Sequence, residues 1–185
     1  MAIIKGAVSR VERLALGSPA ADSTTAVHAA ITDTGSPVTV TTAITNPPTP
    51  RNVTATAGGT AADIKAISVV VHGTNLSGDV ISETLPAFSV NTAGSVVGSK
   101  AFNTVTSVVI PAHDGTGATT AFGIGSKLGL GVILSTDSVV NSYLNGAREA
   151  TRSTVAVSAT AIESNTVTLN SSLDGNAVLV DYYQS

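Results

Sequence analysis

"KAISVVVHGTNLSGDVISETLPAF", residues 65–88, carries the pattern on which the fold depends. Ile67, Val69 and Val71 alternate with Ser68, Val70 and His72, which gives an extended chain one apolar face. "TNLSGD" follows, built from the residues that turns require. Alternation then resumes, with Ile81, Glu83 and Leu85 on one face and Val80, Ser82 and Thr84 on the other. Two such runs about a polar turn predict a β-hairpin. Almost nothing in it is suited to making or breaking bonds, so its work is pairing and packing.

The same signal extends outward. "RNVTATA" (51–57) reads as a strand ended by Gly58 and Gly59. "KAFNTVTSVVIP" (100–111) reads as one long strand with Phe102, Thr104, Thr106, Val108 and Ile110 on one side, stopped by Pro111. "HDGTGATT" (113–120) is a loop, and "SKLGLGVIL" (126–134) is a strand loosened by glycines. "STDSVVNSYLNGARE" (135–149) is ambiguous. Ser135 or Thr136 would cap a short helix, whereas Asn141 and Gly146 oppose a long one. Three short strands close the chain: "STVAVS" (153–158), "NTVTLN" (165–170) and "AVLVDYY" (177–183). Asp174-Gly175 is the hairpin turn expected between the last two.

Ahead of these strands, residues 1–45 are rich in Ala, Thr and Ser. "IIKGAVSRVERLAL" (3–16) fits a short helix or strand, "PVTVTTAI" (37–44) alternates like a strand, and the remainder reads as an extended arm. Pro47, Pro48 and Pro50 then stiffen the chain and exclude helix. The expected architecture is all-β: a β-sandwich or barrel-like core of short antiparallel strands with an extended N-terminal arm. Its expected divisions are an arm over 1–45, a main core over 46–134 and a C-terminal β segment over 135–185.

Composition agrees with β and bounds the function. Of 185 residues 11% are charged, against roughly 25% in an ordinary soluble domain. Thr and Ser supply about a quarter of the chain and stand where charges usually would. Lys and Arg number 9 and form no basic run, which argues against a direct nucleic-acid partner. With no Cys, disulfides, zinc thiolates and thiol nucleophiles are excluded. No stretch is long and apolar enough for a membrane helix, and 3% aromatics do not furnish the girdles of a membrane barrel. Lys5, Arg10, Arg13 and "LALGSPAA" imitate a signal peptide, but the apolar run is short and Glu12 interrupts its approach, so secretion is not expected.

Candidate chemistry is sparse. His28, His72 and His113 have no second ligand at metal-binding spacing. His113-Asp114 would serve a hydrolase as base and orienter with a distant Ser, but the pair reads more simply as a turn with Gly115. Asp63 and Asp79 lack the run of alternating acids that a calcium loop needs. Gly58-Gly59 lacks the Lys-Ser/Thr of a phosphate loop. Glu83 and Glu163 are isolated, so no carboxylate pair stands ready for glycoside hydrolysis. The sequons at Asn52, Asn75 and Asn170 are matches to be expected by chance. Neither a cofactor nor an enzymatic activity is expected.

"PRNVTATAGGTAADIKAISVVVHGTNLSGDVISETLPAF" with "GSKAFNTVTSVVIPAHDGTGATTAFGIGSKLGL" resembles small virion structural proteins of tailed bacteriophages. The similarity covers residues 46 to about 148, and "NSYLNGAREAT" after it carries the same character. Its marks are Pro-Arg-Asn-Val, the Gly-Thr-Asn turn, Glu-Thr-Leu, Lys-Ala-Phe and His-Asp-Gly-Thr-Gly. The resemblance implies a capsid decoration or cement protein on the virion surface, made in the host cytoplasm. Its partners would be the major capsid protein and further copies of itself, as a homotrimer. The arm and the segment Pro47, Pro48, Pro50 and Arg51 would make the shell contact. A head fibre, tail-tube or baseplate component is the alternative within the virion. Outside it, a carbohydrate-binding sandwich would need an aromatic platform from Tyr143, Tyr182 and Tyr183.

Overall fold

The apolar stripe of residues 65–88 lies inside the molecule. Ile67, Val69, Val71, Ile81 and Leu85 are buried, whereas Val80 on the opposite face is 87% exposed. Complete burial of one such side chain contributes ~1.5–3 kcal/mol, so the stripe fixes which face turns inward. The structure, a computed structural model, describes residues 10–183. Residues 1–9, which include the start of the signal-like segment, lie outside that range.

Along the chain the strands are β1 (Val11–Ala15), β2 (Ser23–Thr32), β3 (Val38–Val40), β4 (Arg51–Gly59), β5 (Val70–Thr74), β6 (Val80–Thr84), β7 (Gly94–Phe102), β8 (Thr104–Ile110), β9 (Ala118–Gly129), β10 (Val139–Leu144), β11 (Ala147–Arg148), β12 (Thr154–Ala156), β13 (Thr166–Thr168) and β14 (Val178–Tyr183). Among the described residues the helical pieces are two 3₁₀ turns, Ala61–Asp63 and Ile162–Ser164. The fold is all-β, as its alternating sequence dictates.

Three antiparallel sheets result. The central sheet runs β12-β13-β9-β4-β7, with β2 also paired to β9. The hairpin sheet runs β3-β8-β5-β6, and the end sheet runs β1-β14-β10-β11. Val53, Ala55, Phe122 and Ile124 of the central sheet meet Val71, Ile81, Val105 and Val108 of the hairpin sheet in one buried cluster. This pair is a β-sandwich. A second cluster joins Leu128, Val139, Val167, Val178 and Val180, with Leu14 and Leu16 packed against it. The change from one cluster to the other falls within β9, ahead of the boundary expected at 134/135.

The β5–β6 hairpin forms as expected, from Val70 opposite Thr84 to Thr74 opposite Val80. Asn75 organises its turn, where Oδ1 accepts from the N–H groups of Ser77 and Asp79, each at 3.0 Å. Across the open side of the sandwich, Glu83 binds β6 to β7. Its Oε1 accepts from the Ser99 N–H and hydroxyl at 2.7 Å each, and Oε2 accepts from the Lys100 N–H at 3.2 Å. A carboxylate thus occupies donors of an edge strand that another chain would otherwise pair with.

Several expectations are corrected. "KAFNTVTSVVIP" is two strands, because the chain leaves the central sheet after Phe102, bends at Asn103 and enters the hairpin sheet at Thr104. A bulge between the partners of His72 and Gly73 then shifts the phase. Val105 is therefore buried and Thr106 exposed, the reverse of the uniform alternation. Ala118, Thr119 and Thr120 belong to β9 and not to the preceding loop. Residues 139–148 form a hairpin, turned by Asn145 and Gly146 at φ 52° and 76°, the positive values a tight two-residue turn needs. Asp174-Gly175 does turn the chain, but β13 and β14 belong to different sheets and make no hairpin.

Residues 10–45 are extended, yet they are integral and not a free arm. β1 pairs with β14, β2 with β9 and β3 with β8, so each sheet takes one strand from this segment. Val27 of β2 is fully buried in the sandwich core. Deleting residues 1–45 is expected to abolish the cooperative unfolding transition, as followed by circular dichroism in urea. A truncated chain that unfolds as sharply as the full one would contradict this assignment.

Candidate interaction surface

The segment expected to touch a shell lies at the seam between the two buried clusters. Pro47 is buried, Pro48 exposed and Pro50 half-buried. The Pro50 carbonyl accepts from the Gly129 N–H at 2.8 Å, and Pro50 lines a small hollow with Leu76, Ala101, Gly131 and Ile162. Of this group only Pro48 offers a side chain well placed to meet a partner.

Arg51 is 0% exposed and turns inward. Its Nε donates to the Gly125 carbonyl at 2.6 Å, Nη1 to the Ala20 carbonyl at 2.9 Å and Nη2 to Asp22 Oδ1 at 2.9 Å. Burial lowers its pKa, and the Asp22 charge opposes that shift. The guanidinium therefore ties the lead-in to β2 onto β9, and the expectation that it is a surface contact is corrected. No local signal could have shown this, since Ala20, Asp22 and Gly125 converge on it only through the fold.

The same holds for the residues singled out for catalysis. His113 is buried against Phe88, their ring centroids 6.0 Å apart. Its Nδ1 accepts from the Lys65 N–H at 3.1 Å, which leaves Nε2 to donate to Thr120 Oγ1 at 3.1 Å. Its own backbone N–H donates to Asp33 Oδ2 at 3.0 Å. Asp114 pairs with Lys65 at 2.8 Å instead of orienting the imidazole. Asp63 and Asp79 serve separate loops, one accepting from the Gly117 N–H and the other from Asn75 Nδ2. Asn165, which sequence reading passed over, is fully buried. Its Oδ1 accepts from the Leu134 and Ser158 N–H groups, and Nδ2 donates to the Ser158 and Ala161 carbonyls. Tyr182 is 4% exposed and belongs to the buried face of the end sheet, so the three tyrosines form no common platform.

What remains at the surface is mostly neutral. Leu76, Val80, Val90, Val97 and Ile133 are all substantially exposed, on loops and strands of different sheets. Two shallow hollows of about 440 and 250 Å³ adjoin at Asp22 and Ser126, where hydroxyl and amide side chains mix with Leu169 and Leu173 in the first and with Val97 and Ile124 in the second. Chemically this surface is equipped to be covered by a neighbour through shape and scattered hydrogen bonds.

Two substitutions check these roles. Arg51→Leu leaves the buried Gly125 carbonyl without its donor and is expected to lower unfolding stability by about 3 kcal/mol in urea titration. For His113, burial pushes the pKa below its ordinary 6.5, with Asp33 and Asp114 opposing. Below that value the unfolded chain takes up the proton before the folded one does. Stability is therefore expected to fall as pH drops through about 6.5, and to be flat above it with respect to this group. His113→Gln is expected to flatten that slope. An unchanged slope between pH 5 and 7 would show that another group carries it.

No family model, curated protein or solved structure matches the chain.

Proposed function

We propose that this chain is a virion structural protein of a tailed bacteriophage, a capsid decoration protein that binds and stabilises the shell of the major capsid protein. The observation that carries the reading is its surface. Few charges and many exposed branched side chains clothe a rigid sandwich, and such a surface gains free energy when neighbours cover it. The resemblance of residues 46–148 to phage virion proteins points the same way. So does the use of His113, Asp114 and Arg51 in holding loops and strands together.

The copies act as a homotrimer, and binding repeated over a lattice adds modest contacts into high avidity. No enzymatic step is part of this role.

Empty shells assembled from the major capsid protein of the encoding phage, without this chain, provide the test. Purified protein is expected to decorate them at regular lattice positions in averaged electron micrographs and to raise their disassembly temperature. A few copies at one vertex or on a tail would move the protein to another virion station. Shells left bare at micromolar protein would refute the reading.

A further inference from the structure

The end sheet has one face in the second hydrophobic cluster and one face outward. Residues directly opposite in an antiparallel pair project to the same side. Val11 lies opposite Tyr183, Arg13 opposite Asp181, Tyr143 opposite both Leu179 and Arg148. These residues therefore share the outer face, while Leu14, Val180 and Val178 point into the core.

The composition of that face is unlike the rest of the surface. The whole chain has 3 tyrosines and no Trp, yet Tyr143 and Tyr183 are both here. Tyr183 is 43% exposed and Val11 51%. Arg13 is held in place while its side chain stays 56% exposed. Its Nε and Nη2 donate to the two oxygens of Asp181 at 2.6 and 2.9 Å, and its guanidinium lies 5.1 Å from the centre of the Tyr143 ring. Tyrosine and arginine are the side chains most often decisive in interfaces, and a guanidinium already pinned loses little entropy when a partner arrives.

Charge decides what the partner is. Among the described residues the one carboxylate on this face, Asp181, is buried and engaged by Arg13. Arg148 is exposed, and among the described residues no carboxylate lies within ion-pair distance of it. Two copies meeting through this face would bring arginine toward arginine, which disfavours self-association here.

We propose that the outer face of the end sheet is a docking surface for a carboxylate-bearing, partly apolar segment of a different protein. The aromatic rings and Val11 cover the partner's apolar groups, and Arg148 and Arg13 receive its carboxylates. This rests on the decoration reading only for the partner's identity, a segment of the shell.

Full-length protein carrying Arg148→Glu or Tyr183→Ala is compared with wild type, and Ser82→Ala, at an exposed position of the hairpin sheet, serves as the control. In co-sedimentation with the empty shells, each face variant is expected to bind about tenfold or more weakly, and the control as wild type. Face variants that bind shells as well as wild type would overturn the proposal and leave the decoration reading standing. If wild type itself ignores the shells, the decoration reading fails alone, and a second measurement still judges the face. A peptide of alternating Glu and Leu is titrated into labelled protein and followed by NMR. Shifts centred on Tyr143, Arg148 and Tyr183, lost in Arg148→Glu and weakened by salt, support the surface. Shifts centred elsewhere, or none, overturn it. So would a dimer in sedimentation that Arg148→Glu disrupts, or contacts from residues 1–9 to Tyr143 in the free protein.

Discussion

The structure depends on β9 being paired along both of its edges. One edge carries β4 from Arg51 to Gly59. The other carries β2 and then β13. A strand with both edges occupied and nearly every side chain buried has little freedom to slip. Phe122 and Ile124 belong to the sandwich core, and Leu128 belongs to the second cluster. One stretch of backbone thus sets the registry of both hydrophobic clusters. The approach of β2 is so close at Gly123 that a Cβ there would fall on the Ser23 carbonyl oxygen, which accounts for a glycine in the middle of a buried strand.

Polar groups secure the places where backbone pairing stops. Arg51 holds the lead-in to β2, Asn165 satisfies four backbone groups around the Leu134–Ser158 bridge, and Glu83 closes β6 against β7. Each is matched by partners inside the fold, as a buried or edge polar group must be. A chain with so few charged residues has placed several of them in structural positions. Its outward face is then left to hydroxyl, amide and aliphatic groups, and the arginine–tyrosine face of the end sheet stands out against that background.

Local pattern was legible wherever a strand kept strict alternation between two clear turns. The β5–β6 hairpin, β4 and the three C-terminal strands belong to this class. It failed where geometry changed within a run. The sheet switch at Asn103 and the bulge near Thr106 are invisible in a string of β-branched residues, because either side of the bend has the same propensity. β2 was missed because "STTAVHAAIT" shows no regular alternation of apolar and polar residues, and only Val27 is fully buried. The Asn145-Gly146 turn was readable in principle, since that dipeptide is a strong hairpin signal. Of the proposed contact residues, the prolines were recognised as stiff extended chain, but the burial of Pro47 and Arg51 was not foreseeable.

By itself the sequence determined an all-β chain, its main hairpin and its poverty of charge, because periodicity and composition are local properties that any pairing must respect. The tertiary structure alone decided that residues 11–40 are shared among three sheets and that Arg51 meets Asp22, Ala20 and Gly125. It alone placed Tyr143, Tyr183, Arg13 and Arg148 on one face. Those outcomes rest on pairings between residues far apart in the chain, and antiparallel partners are chosen by burial of whole faces rather than by any feature a single strand displays.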